Sequence, residues 1–124
     1  MAQESTIQLT YVAGGTIVAK RFVALNGSGQ VVHATADADA IGVTNVAGTA
    51  TNVIEIQTYN GGVAEVEASG AITAGDPIAV DTNGQAQTAD TAGQVIVGYA
   101  RTAAAAANEV IEVVLVKSGA AVST

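Results

Sequence analysis

The sequence predicts an all-β domain, a compact barrel- or sandwich-like body made from two related β-units with an extended N-terminal arm. Two observations carry this reading. Short runs rich in Val and Ile alternate with turn signals along the chain, as strands alternate with turns. The two halves also say nearly the same thing in the same order. Sliding Ala13 onward by about 55 positions sets Ala13, Gly15, Ile17, Ala19, Ala24, Gly29, Gln30 and Ala34 on Ala68, Gly70, Ile72, Ala74, Ala79, Gly84, Gln85 and Ala89. Asn26 then meets Asp81. One more residue of offset sets Gly42 on Gly98, and one more sets Val53-Ile54-Glu55-Ile56 on Val110-Ile111-Glu112-Val113. Any sequence rich in Ala, Gly and Val aligns with itself to some extent. An ordered match that places glycine on glycine favours duplication.

The elements follow in order. Met1 to Thr6 is polar and expected to be mobile unless a partner holds it. Ile7 to Val12 alternates apolar and polar residues as far as Tyr11, so Ile7, Leu9 and Tyr11 would share one face of an extended segment. Residues 1–12 are either an arm that orders on contact or the first strand of the domain. The arm is the preferred reading, because the repeat offers no counterpart ahead of Ala68. Arg21 to Leu25 is a strand closed by Asn26-Gly27-Ser28-Gly29, a hairpin signal, with Gln30 to His33 returning. Ile41 to Thr44, Val53 to Tyr59 and Val63 to Ala68 are the next strands, with a turn at Asn60-Gly61-Gly62. The second unit repeats the pattern. Asp76-Pro77 opens Pro77 to Asp81, Asn83-Gly84 turns into a polar run, and Val95 to Ala100 and Glu109 to Val116 close it. Ala103 to Ala107 has high helix propensity but is too short to nucleate more than one turn. The expected organisation is one domain over 13–118, duplicated at about 13–60 and 68–117, with a flexible tail at 119–124.

At 124 residues the chain has room for a core, but one built from small side chains, with one Phe, no Trp and three Tyr. Burial stabilises by about 25 cal/mol per Å² of apolar surface. Ordering the backbone costs about 1–2 kcal/mol per residue. A small-residue core is therefore marginal alone, and burial against another chain is the expected remedy. Four basic residues stand against eleven acidic ones, a net charge of −7. That argues against nucleic acid, whose phosphates are met by Lys and Arg, and against an anionic membrane surface. No secretory leader is evident, and no apolar run reaches the length of a membrane span. With no cysteine there is no disulfide or thiol chemistry.

Residues that could carry catalysis are sparse. His33 is the only histidine, and a metal site would need partners for it. A structural histidine is the simpler reading. Asp37 and Asp39 are spaced as in calcium loops, but the glycine and distal glutamate of such a loop are missing. They read as solvated turn acids. Glu55 and Glu112 match through the repeat, which needs no catalytic explanation. No Gly-x-Ser-x-Gly elbow and no phosphate-cradling glycine loop is present. The expectation is a protein that is not an enzyme and has no cofactor and no required metal.

The run Gly70-x-Ile72-x-Ala74-Gly75-Asp76-Pro77, followed by Val80-Asp81-x-x-Gly84, Ile96-Val97-Gly98-Tyr99-Ala100 and Val110-Ile111-Glu112-Val113-Val114-Leu115, resembles the small capsid decoration, or cement, proteins of tailed bacteriophages. The likeness is clearest over Gly70 to Val116 and weaker over Gly14 to Tyr59, where Lys20-Arg21 stand in place of Gly75-Asp76. The resemblance implies a mostly β, homotrimeric virion protein that binds the outer surface of the expanded capsid and stabilises the shell. Its partners would be the major capsid protein and itself, and it would be made in the host cytoplasm. Ile7, Leu9 and Tyr11 are the candidate capsid or subunit contacts. Lipoyl- and biotinyl-carrier domains share a similar glycine turn but need a hairpin lysine, and neither Lys20 nor Lys117 occupies one. The alternative from another class is a β-rich binding or carbohydrate-adhesion module, for which Tyr11, Tyr59 and Tyr99 supply few aromatics.

Overall fold

The computed structural model describes residues 8–35, 40–44, 46–58, 62–90 and 92–116, which form ten β-strands and, among these residues, no helix. The first five strands are β1 (Gln8–Val12), β2 (Arg21–Leu25), β3 (Val31–His33), β4 (Gly42–Thr44) and β5 (Val53–Thr58). The second five are β6 (Val63–Glu67), β7 (Pro77–Val80), β8 (Ala86–Thr88), β9 (Gly98–Ala100) and β10 (Val110–Leu115). They make two antiparallel five-stranded sheets, ordered β1-β5-β4-β2-β3 and β6-β10-β9-β7-β8. The two orders are one topology. The expected all-β fold is present. The expectations for Met1 to Thr6, Ile7, Asp37, Asp39, Tyr59, the Asn60-Gly61 turn, Lys117 and the tail at 119–124 lie outside the described residues.

The likeness of the halves extends to single hydrogen bonds. In the β2–β3 hairpin, Asn26 Oδ1 accepts from the Ser28 and Gln30 amides at 2.9 and 3.0 Å. In the β7–β8 hairpin, Asp81 Oδ1 accepts from the Asn83 and Gln85 amides, both at 2.8 Å. These are Asx turns, a device open to Asn and Asp alike. Gly29 and Gly84 take the left-handed conformation that completes each turn, at φ 77° and 79°. Gly42 and Gly98 share another constraint. A Cβ at Gly42 would strike the Gln57 carbonyl oxygen on β5, and one at Gly98 would strike that of Val114 on β10.

Between the first two strands of each half, the chain loops back over the sheet. Ile17 and Gly48 exchange two backbone hydrogen bonds, as do Ile72 and Ala104. The second exchange explains why the alanine-rich run is not helical. The Ala104 amide is committed to the Ile72 carbonyl, so the run follows the sheet instead of winding on itself.

Gln8–Val12 is the first strand of the domain's own sheet, paired along its length with β5. It also has a counterpart. Val63–Glu67 lies 55 positions on and holds the same edge position in the second sheet. The expectation that nothing ahead of Ala68 matches it is corrected. The reason is physical: an edge strand needs alternation rather than particular residues, so Gln-Leu-Thr-Tyr-Val and Val-Ala-Glu-Val-Glu perform one task without sharing letters.

The core falls into two clusters. Ala13, Ile17, Val23, Val31, Ile54 and Ile56 form one wholly within the first half, with Tyr11 and Ile41 packed against it. The larger one holds the second half's counterparts, including Ala68, Ile72, Ile78, Ala86, Ile111 and Val113. It also takes in Phe22, Ala34, Ala40 and Val43 from the first half. The second core is thus completed by the first half.

Candidate interaction surface

The contact between the halves is a dense polar site. Phe22, on β2, donates its amide to the Gly84 carbonyl at 2.7 Å, and Glu67, at the end of β6, donates to the Lys20 carbonyl at 2.9 Å. Lys20 Nζ meets Glu65 Oε1 at 2.8 Å. Arg21 Nη2 meets Glu67 Oε1 at 3.0 Å, while its Nη1 donates to the Asn83 carbonyl at 2.9 Å. Gln85 Nε2 donates to the same Glu67 oxygen at 3.0 Å and to Asn108 Oδ1 at 3.0 Å. Arg21 and Glu67 are largely covered, so their attraction is less screened than that of the more exposed Lys20–Glu65 pair. Beneath these groups Phe22 and Val43 are fully buried in the second core.

Sequence reasoning missed this contact. A signal was available, because matched positions differ in charge: Lys20 and Arg21 against Gly75 and Asp76, Thr10 and Val12 against Glu65 and Glu67. At these four positions, the charge that the matched residue lacks or reverses lies in the contact between the halves.

The outer face of the second sheet carries an apolar row. Val63, Val114, Tyr99 and Pro77 stand opposite one another across β6, β10, β9 and β7. Tyr99 is 43% and Val114 39% exposed. On the first sheet the equivalent row is Gln8, Gln57, Val43 and Phe22.

Of the three residues singled out as contacts, Ile7 lies outside the described residues. Leu9 and Tyr11 stand opposite Ile56 and Ile54 in the β1–β5 ladder. Tyr11 is half-buried and packs on the first half's own cluster, so it contributes to the fold. The neighbouring Thr10 and Val12 are exposed on this edge strand.

His33 has a structural task. Its Nε2 accepts the Val18 amide at 2.9 Å. The equivalent amide in the second half, that of Thr73, goes to Asp76 Oδ2 at 3.0 Å. One loop amide is therefore satisfied by different side chains in the two halves. Burial first, and then the positive charge of Arg21, hold the His33 pKa below its ordinary value. Glu112 pairs with Arg101 at 3.1 Å, and Glu55 is exposed on the other sheet. Among the described residues no cluster of His, Asp or Glu is arranged to hold a metal ion.

A family model described as phage cement protein matches residues 1–117. The chain belongs to the phage cement protein family and is a structural protein of the phage virion. No curated protein matches. Among solved structures it is similar to the head fiber gp8.5 N base of bacteriophage phi29, with a TM-score of 0.75 at 20% identity. That likeness covers 93% of this chain and 98% of the other.

Proposed function

We propose that this protein binds the outer surface of a phage capsid, with the major capsid protein as its partner, and stabilises the expanded shell. The family match across residues 1–117 is the observation that supports this reading. The fold suits the task. Both sheets are cross-tied by loop bridges and by the contact between the halves, so the body presents a fixed surface instead of adapting one. We further propose that the protein acts as a homotrimer and without catalysis, and that Ile7, Leu9 and Tyr11 contribute to capsid or subunit contact. An edge strand exposing Thr10 and Val12 offers main-chain groups to a neighbour.

The test is direct. Purified protein is mixed with expanded shells and with unexpanded precursor shells, and pelleting is measured for each. The reading expects saturable binding to expanded shells, weak binding to precursors, and shells that resist heat or chaotrope better when coated. Saturable binding with no gain in shell resistance would leave a decoration role without a cementing one. Absence of binding to both would overturn the reading.

A further inference from the structure

The two halves of this chain meet head to tail. The outer face of the first sheet closes the inner side of the second half, so Phe22 and Val43 join the core that contains Val66 and Val80. All four are fully buried. A contact of this kind leaves two surfaces without a counterpart inside the chain. On the second sheet, Pro77 and Tyr99 occupy the ladder positions of Phe22 and Val43. In the first half, Tyr11 and Leu25 occupy the positions of Val66 and Val80, 55 residues earlier. Tyr99 and Leu25 are each 43% exposed. We infer that these surfaces are the two sides of a subunit interface, with the Pro77–Tyr99 face of one chain seated on the Tyr11–Leu25 side of the next copy.

The occupant is a second copy because the two surfaces have changed together. Inside the chain, Lys20 and Arg21 on one side meet Glu65 and Glu67 on the other. At the free surfaces the cations are replaced by Gly75 and Asp76, and the carboxylates by Thr10 and Val12. Losing only one side would leave uncompensated charge at the contact, which is costly. Losing both leaves two surfaces that still fit. The one remaining charge, Asp76, is engaged at home, accepting from the Thr73 amide at 3.0 Å and the Thr88 hydroxyl at 3.1 Å. Pro77 has no amide hydrogen, so the bond from Phe22 to the Gly84 carbonyl has no equivalent between chains. The contact between chains is accordingly apolar, weaker than the one within the chain, and insensitive to salt. A heterologous contact closes into a ring or runs on into a filament. The inference rests on the homotrimer proposed above only for closure at three copies.

The chain has no cysteine, which makes a crosslinking test clean. Tyr99→Cys and Leu25→Cys are prepared singly and together and treated with a short bis-maleimide. Expected are crosslinked dimers when the two single variants are mixed, none from either alone, and covalent trimers from the double variant. Tyr99→Arg is expected to weaken self-association at least tenfold in sedimentation with an unchanged circular dichroism spectrum. High salt should leave the unmodified protein associated. A trimer in sedimentation that gives no mixed crosslink would overturn this interface while the homotrimer stands. A single variant that crosslinks to itself as readily as the mixture would show a two-fold contact and overturn it too. An unmodified protein that stays monomeric at every concentration overturns both the interface and the homotrimer. If Tyr99→Arg then also abolishes binding to expanded shells, the face belongs to the capsid.

Discussion

Thr51 and Asn108 hold equivalent places just before β5 and β10, and both are left-handed, at φ 74° and 72°. Asn tolerates this region, whereas a β-branched residue there is strained by about 1–2 kcal/mol. Thr51 is exposed, and its amide bonds to the Ala13 carbonyl at 2.9 Å. Thr51→Asn keeps that bond and removes the clash. It is expected to raise stability by about 1 kcal/mol, read as a higher midpoint in a denaturant titration with unchanged slope. A lower midpoint would show that the threonine side chain is needed where it stands. His33 gives a second residue-scale expectation. Its pKa is lowered in the folded protein, so below the ordinary value of 6.5 the unfolded chain binds the extra proton. The stabilising contribution of the neutral ring is complete above that pH. It is lost as pH falls through the unfolded value toward the lower folded one. His33→Gln cannot titrate, so wild type should lose more stability between pH 7 and 5 than the variant does. Parallel pH profiles would show that the imidazole does not titrate with unfolding.

At the scale of elements, most strands were legible because they carry a local signal of their own. Arg21–Leu25 was placed to the residue and the others to within three residues at each end, except β8, whose Ala-Gln-Thr was read only as a polar run. Asn26-Gly27 and Asn83-Gly84 announced the hairpins by turn chemistry, and the glycine matches fixed the offset between the halves. The place of β1 in the repeat was not legible, because its match to β6 is one of alternation without identity. Neither was the contact between the halves, since nothing local to Lys20 or Arg21 says that Glu65 and Glu67 lie opposite. The trace it leaves in the sequence shows only when the halves are compared position by position, where Lys20, Arg21, Glu65 and Glu67 each carry a charge that the matched residue lacks or reverses. The position of β1 carries a prediction. It supplies a full ladder to β5 and places Tyr11 on the first core. Deleting residues 1–12 should therefore cost about 2 kcal/mol or more, seen as a lower melting temperature of the isolated protein. A truncated chain that melts like wild type but fails to bind shells would show that the segment serves as an arm after all.

For the molecule as a whole, the unequal cores decide how it unfolds. The first cluster is built from the first half alone, but the second borrows Phe22, Ala34, Ala40 and Val43. The dependence therefore runs in one direction. Loss of the first sheet opens the second core, whereas damage confined to the second half leaves the first cluster intact. Phe22 is the largest fully buried side chain among the described residues, and it is anchored twice, by its amide to the Gly84 carbonyl at 2.7 Å and by its ring in the second core. Phe22→Ala removes the ring and leaves a cavity between the halves, at an expected cost of about 3–5 kcal/mol. The more telling measurement is where that cost appears. Hydrogen exchange should speed up at Ile111 and Val113 on β10, a strand of the other sheet far from Phe22 in sequence. Ile111→Ala creates a cavity in the same core from the other side. It should speed exchange across the second sheet while leaving β5 amides close to wild type. Equal acceleration of both sheets by both variants would mean that the halves form a single cooperative unit, and that the dependence is mutual.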